Sequence, residues 1–503
     1  MKRTITIGAV LMVLATIPVL GFGTAEEEPG RLSMALSGNP DTLDPQASPA
    51  TLTFQVTRSI FDTLVEPDED GEIVPSLARD WDVNEDATEW TFYLEEDVVF
   101  HNGDSFTADD VVATFDRMFS DAVSAPNRED FGPLDRVERV DDHTVRFHME
   151  EPFAPLLAGL GSGWAAILPE SLIEEDHDFG VAPVGTGPFR FVEWVRDSRI
   201  TLARHERYWK DDLPRLSGVR FNIVVEPSVQ LQGLLTGEFH VIDIVNPEDH
   251  ERIENHGQAR LDESLSSLVM VMSMNTRREP FDDVDVRRAV THAIDKQQVL
   301  DIAYGGGEIG GTFMDTGDPA HRDFSHLYPY DPDRARELLE ESGAVRDEEI
   351  VITVPQNYDP HVTAAQLYQQ MLEDAGFNIS LNLVEWSTWL SDVYGGGNFD
   401  LTVIGHTGKL DPDGRFGEMT GEDSYTGWSD ERFRSLVREA RRTPDLDERY
   451  ELYEEAQEIL AEQVPKVFTG TNYRFIGLRE SVSGFHMDSK LDTYDFRRTT
   501  IEE

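Results

Sequence analysis

Pro183-Val184-Gly185-Thr186-Gly187-Pro188-Phe189 is the stretch from which the division of this chain is read. Two glycines free the backbone; two prolines fix φ and lack a donor. Neither a helix nor a central strand runs through such a composition. It reads as a rigid turn where the chain leaves one packed unit and enters another. Phe189, Phe191 and Trp194, then Ile200 and Leu202, alternate with polar residues, as a strand pair leaving a hinge does. With 503 residues the chain is too long for one core, so two or three domains are expected around this point.

Upstream, residues 30–74 open with Leu32, Met34 and Leu36 at strand spacing and continue into a helix from Thr51. Residues 75–185 form a smaller unit. Trp90, Phe92 and Leu94 alternate, and Thr107 with Asp110 three places on caps a helix carrying Val111, Phe115 and Met118. Downstream, residues 186–275 carry strands at 189–194, 199–204 and 219–225 and an apolar strand from Leu268 to Met274. Residues 276–475 change character: strand 350–354, helix 363–375, strand 377–383, helix 386–394, strand 399–404. That alternation predicts a parallel sheet with right-handed crossovers, an α/β fold whose ligands bind beyond the strands' carboxyl ends. Two loops fall there, Pro355-Gln356-Asn357-Tyr358 and His406 to Asp413.

Composition narrows the function. Net charge is −54, from 97 acidic against 43 basic residues, of which only 6 are Lys. Such a surface repels nucleic acid and anionic membrane. The acids are spread along the whole chain, so they read as adaptation to a high-salt habitat rather than one acidic ligand site. There is no Cys, hence no disulfide, thiolate metal site or lipid-attachment cysteine. Lys2 and Arg3, the apolar run Ile5–Leu20 and the small residues before Glu26 form a secretory leader over residues 1–25. The protein is expected to be exported, periplasmic or extracellular.

Catalytic motifs find no support. Gly305 to Gly310 satisfies G-x-G-x-x-G but follows a helix, so the dinucleotide context fails. His101 and Asp104 fit a turn before a helix. Carboxylate pairs are expected by chance among so many acids, and no histidine pair has metalloprotease spacing. No cofactor, metal or enzymatic role is expected.

Several motifs in one order carry a resemblance. They are Pro75-Ser76-Leu77-Ala78 with Trp81; Trp90 to Leu94; Val99 to Val111; Gly185 to Phe189; Arg207-Tyr208-Trp209; Asn275; and Pro280 to Ala289. Together they resemble the solute-binding proteins of peptide and nickel ABC importers, extracellular family 5, over essentially the whole mature chain. The resemblance implies a two-lobed, type II periplasmic-binding-protein fold with an extra subdomain in the first lobe. Lobe I would comprise residues 30–74, 186–275 and 476–503 plus the small subdomain 75–185, and lobe II residues 276–475, with hinges at Gly185, Gly187 and Asn275. It implies a monomer that captures a small solute, a peptide, and delivers it to a membrane permease and ATPase complex. Nickel chelates, oligosaccharides and, outside this class, a secreted hydrolase stay open.

Thr51 and Thr53 match the segment that lines the cleft from lobe I. Trp164 and Trp386 are candidate cleft aromatics, and Asn357, Tyr358 and His406 lie in the two strand-end loops. Asp411, in the loop leaving the last parallel strand, is the expected anchor for a peptide's amino group. His406 stands where relatives often have Trp, and residues 355–358 lack the Arg that dipeptide binders aim at the peptide carboxylate.

The charge makes one prediction. Self-repulsion opposes compaction until salt screens it. The melting temperature is expected to climb steeply from low to molar NaCl; a flat profile would remove the high-salt reading.

Overall fold

The computed structural model describes residues 30–69, 71–343, 349–421 and 424–502. The leader read at residues 1–25 lies outside them. One large sheet organises the described residues. In chain order its strands are β1 (Arg31–Leu36), β2 (Phe189–Val195), β3 (Arg199–Arg204), β4 (Gly218–Ile223), β5 (Val241–Ile242), β6 (Ala259–Met274), β7 (Glu349–Pro355), β8 (Asn378–Val384), β9 (Leu401–His406) and β10 (Lys466–Arg479). In space they run β8-β7-β9-β6-β10-β5-β1-β4-β3-β2, with the short strand Gly307–Ile309 also paired to β10. β7, β8 and β9 are mutually parallel, as the alternation predicts.

β6 and β10 are long because they belong to both lobes. Ala259–Leu265 pairs with Tyr473–Arg479 on one side, and Val269–Ser273 with Lys466–Thr471 on the other. Between Leu265 and Val269 the register slips, and it slips again after Met270. Such bulges bend the ladder. On the lobe II side successive residues enter opposite cores, as strand geometry requires. Met272, Met274 and Val467 pack with Ile352, Leu401 and Tyr368. Val269, Val271 and Phe468 pack with Phe433 and Tyr453 on the other face. On the lobe I side, Ile476 and Leu478 join Leu32, Met34 and Phe221. The chain therefore enters lobe II once, through β6, and leaves once, through β10.

This corrects the expected hinges and the expected start of lobe II at 276. Ala166, Leu168 and Phe179 already pack in the main core of lobe I, so the chain has left the small subdomain before it reaches Gly185. Gly185 and Gly187 then lie against Ile60 and Phe61. The Gly187 N–H donates to the Ile60 carbonyl, and a Cβ on Gly187 would stand 2.6 Å from that oxygen. Both glycines serve close packing inside lobe I. His101 reinforces the seam. Its Nδ1 accepts from the Gly185 N–H and its Nε2 lies 3.0 Å from the Gly187 carbonyl. Burial pushes its pKa down to about 3, so it is a neutral structural imidazole. Asn275 lies within lobe II, where its amide donates to the Gly397 and Phe399 carbonyls and ties the end of β6 to the start of β9.

The small subdomain is a four-stranded antiparallel sheet, Ala78–Val83, Glu89–Leu94, Thr144–Met149 and Leu134–Asp141. It is covered by the helix Ala108–Phe119, where the Thr107 N–H donates to Asp110 as expected. The C-terminal hairpin, His486–Asp488 with Thr493–Asp495, packs Met487 and Tyr494 into lobe I.

A buried ion network fastens this tail. Arg497, Lys210 and Arg58 converge on Glu66. Burial pushes the Glu66 carboxyl up, but the three cations outweigh it and hold its pKa at about 2 instead of 4.5. A depressed carboxylate pKa stabilises the fold above the unfolded value, and that contribution is lost as pH falls through the folded one. Glu66 thus contributes on the order of 3 kcal/mol near neutrality, lost between pH 4.5 and about 2. Urea unfolding of Glu66→Gln is expected to show lower stability at pH 7 and a flatter acid limb; an unchanged acid limb would remove Glu66 from the account.

Candidate functional site

β9 ends at His406 opposite Val269, beside the crossing, and β7 and β8 run parallel to it. The three carboxyl ends therefore face the crossing side of lobe II. From there the loop at 407–414 passes against the small subdomain, and a cavity of about 390 Å³ lies between them. Glu129, Asp130, Glu151, Phe153 and Trp164 line its lobe I wall, Gly408 to Asp411, Asp413 and Arg441 its lobe II wall, and Leu491 of the C-terminal hairpin closes one side.

The lobes touch around this chamber. The Ala154 N–H donates to the Arg441 carbonyl at 2.7 Å. Lys490, at the hairpin tip, reaches lobe II and pairs with Asp315 at 2.7 Å and Asp318 at 3.1 Å, nearly all three side chains buried. Lys409 Nζ stands 3.6 Å from Asp130 and 5.7 Å from the centre of the Trp164 ring. Burial lifts the Asp130 carboxyl above its ordinary pKa and Lys409 offsets part of the rise. The Trp164 ring is packed edge-on to Phe54, and its indole N–H finds no acceptor among the described residues.

Of the residues named from sequence, Trp164 and Asp411 reach this chamber. Asp411 does not offer a free carboxylate. Arg449, from the helix Leu446–Gln463, donates to both its oxygens at 2.7 and 2.6 Å, and the Asp413 N–H caps one of them. Burial works against the Arg449 charge, yet Asp411 outweighs it and keeps the guanidinium above its ordinary pKa. Asp413 is likewise taken by Arg441. The loop reads as Asp-Pro-Asp because both acids nail it to the helices behind it.

Thr53 is also committed elsewhere. It is fully buried, and its hydroxyl donates to Asp41 at 2.6 Å. Thr51 is half-buried at the first position of the helix Thr51–Thr57. Asn357 and Tyr358 are exposed after β7. Tyr358 meets Trp386 edge-on, Trp386 stacks on Trp389 at 5.2 Å, and Trp389 on Tyr394. Tyr425 continues this column to His406, whose Nε2 lies 3.1 Å from the Tyr425 hydroxyl. Burial, with Lys466 and Arg415 nearby, pushes the His406 pKa well below 6.5. His406 is a neutral member of the aromatic column. The sequence reading missed Lys409, Asp130 and Arg441 as chamber residues. The one available signal was rarity: Lys409 is one of 6 lysines in a chain of 503 residues.

Residues 72–427 match the model of bacterial extracellular solute-binding proteins, family 5 Middle. The chain belongs to this family. It is 28% identical to Di/tripeptide-binding protein 1 of Pseudomonas aeruginosa (strain UCBPP-PA14), over 97% of each chain. Two solved structures superpose along its length. One is DppA from Helicobacter pylori in complex with the peptide STSA, with TM-score 0.78, 26% identity and coverage of 94% of this chain and 98% of that one. The other is the PBP AgaA from A. tumefacien R10 in complex with agropinic acid, with TM-score 0.78, 27% identity and coverage of 94% and 99%. The two-lobed α/β fold implied by the resemblance is thus the fold observed.

In this family 5 protein, Asp411 carries structural weight. Removing one partner of a buried ion pair leaves the other charge uncompensated, at a cost of about 3–5 kcal/mol. Asp411→Asn is expected to lower the melting temperature by several degrees. An Asp411→Asn protein as stable as wild type would return Asp411 to the list of ligand anchors.

Proposed function

We propose that the protein binds a short peptide in the interlobe chamber and presents the closed, loaded form to an ABC permease and its ATPase. The chamber carries this reading. It lies between lobes joined by one bulged strand pair, so opening the lobes admits solute and closing them buries it. Its 390 Å³ falls at the small end of ligand pockets, which suits two or three residues better than a long chain. The di- and tripeptide-binding name of a relative matched over 97% of its length agrees with that size.

The protein works as a monomer, exported by the leader over residues 1–25 and held at the membrane by its partner. Among the described residues, no helix is long and apolar enough to cross a membrane. It carries out no covalent chemistry. Asp411 and Asp413, two of the five acids that line the chamber, are tied up by arginines.

Native mass spectrometry of the purified protein is expected to show a bound mass in the range of a di- or tripeptide, released unchanged on denaturation. X-ray scattering should show a smaller radius of gyration with that solute than after its removal. A released molecule that contains no peptide bond would sink the peptide reading, and an unchanged radius from an open apo form would sink the closure.

A further inference from the structure

Five lysines lie in the described residues, and four stand outside the chamber. Lys210 pairs with the buried Glu66, and Lys490 with Asp315 and Asp318. Lys296 donates to the Gly310 carbonyl, and Lys466 is buried over the Phe313 ring. The fifth, Lys409, lines the chamber, and its one ion partner among the described residues is Asp130 on the facing wall.

That contact is a poor lock. At 3.6 Å, with side chains 36% and 29% exposed, it is worth little to stability. The lobes have a better clasp in Lys490, whose pairs are shorter and under a tenth exposed. The chamber's charges are also sorted by lobe. Glu129, Asp130 and Glu151 stand on the lobe I wall, and the first and last have no ion partner among the described residues. On the lobe II wall the two acids are neutralised by Arg449 and Arg441, which leaves Lys409 as its uncompensated charge. Trp164, beside Lys409, has an indole N–H still without an acceptor.

We infer that Lys409 and Asp130 are the specificity residues for a zwitterionic solute: Lys409 takes its carboxylate and Asp130 its ammonium. Without solute the two groups neutralise each other across the chamber; a solute inserts between them and exchanges one weak pair for two. An extended dipeptide spans about 7 Å, so the lobes must part to admit it. The solute's amino end thus faces lobe I, not the Asp411 loop. Both new contacts are charge-assisted hydrogen bonds in a partly desolvated site, stronger than the exposed pair they replace. This assignment rests on the chamber being the solute site proposed above.

Calorimetry on the full protein, at the lowest salt that keeps it folded, tests it with four probes: Ala-Phe, its C-terminal amide, N-acetyl-Ala-Phe and 3-phenylpropionate. Wild type is expected to bind Ala-Phe at least tenfold more tightly than the amide. Lys409→Met should lose that preference and Lys409→Arg keep it. N-acetylation should cost at least tenfold in wild type and little in Asp130→Asn. A pair that only clasps the lobes would leave the amide penalty intact in Lys409→Met, and that result overturns the assignment, as does an amide that binds wild type as well as the acid. If Ala-Phe fails while 3-phenylpropionate binds in a Lys409-dependent way, the peptide reading falls and the carboxylate assignment to Lys409 stands. If no probe binds, the assignment falls.

Discussion

One pair of strands joins the two lobes of this protein. β6 and β10 carry the backbone from lobe I into lobe II and back, hydrogen-bonded to each other on both sides of a slipped register. A regular ladder there would make the sheet stiff. The bulges at Leu265/Val269 and Met270/Val271 leave residues out of the ladder where bending is needed. Gly470 sits at this point with φ +145, and a Cβ there would overlap the Glu308 carbonyl oxygen, so the crossing requires glycine. The cores on either side are packed separately from each other.

Charge is used in two ways around that axis. Pairs that hold the architecture are short and nearly dry: Asp411 with Arg449, Lys490 with Asp315, Glu66 with Arg497. Breaking one strands a buried charge, so they act as fasteners. The pair in the chamber is long and half-wet, which suits a contact that opens to admit a ligand. Many carboxylates elsewhere lie exposed on the surface, where salt sets how strongly they repel.

Much of this was legible in the chain itself. Period-2 alternation in Trp90, Phe92 and Leu94 gave a strand because a half-buried sheet admits nothing else. Thr107 and Asp110 started a helix through capping chemistry that is local to a few residues. The alternation of strand and helix after residue 350 predicted β7, β8 and β9 as parallel neighbours, and the ordered motifs pointed to the family.

Partner choice was not legible, because it joins residues far apart in sequence. Nothing near Asp411 announces that Arg449 will take its carboxylate, so an acid in a strand-end loop read as a ligand anchor. Nothing near Gly185 tells that the chain has already crossed into the main core, so a close-packing turn read as a lobe hinge. The sequence by itself determined local conformation, charge and family, since those follow from neighbours and composition. Only the tertiary structure decided which charges are spent on the fold and which stay free, because that depends on what each side chain meets across the chamber.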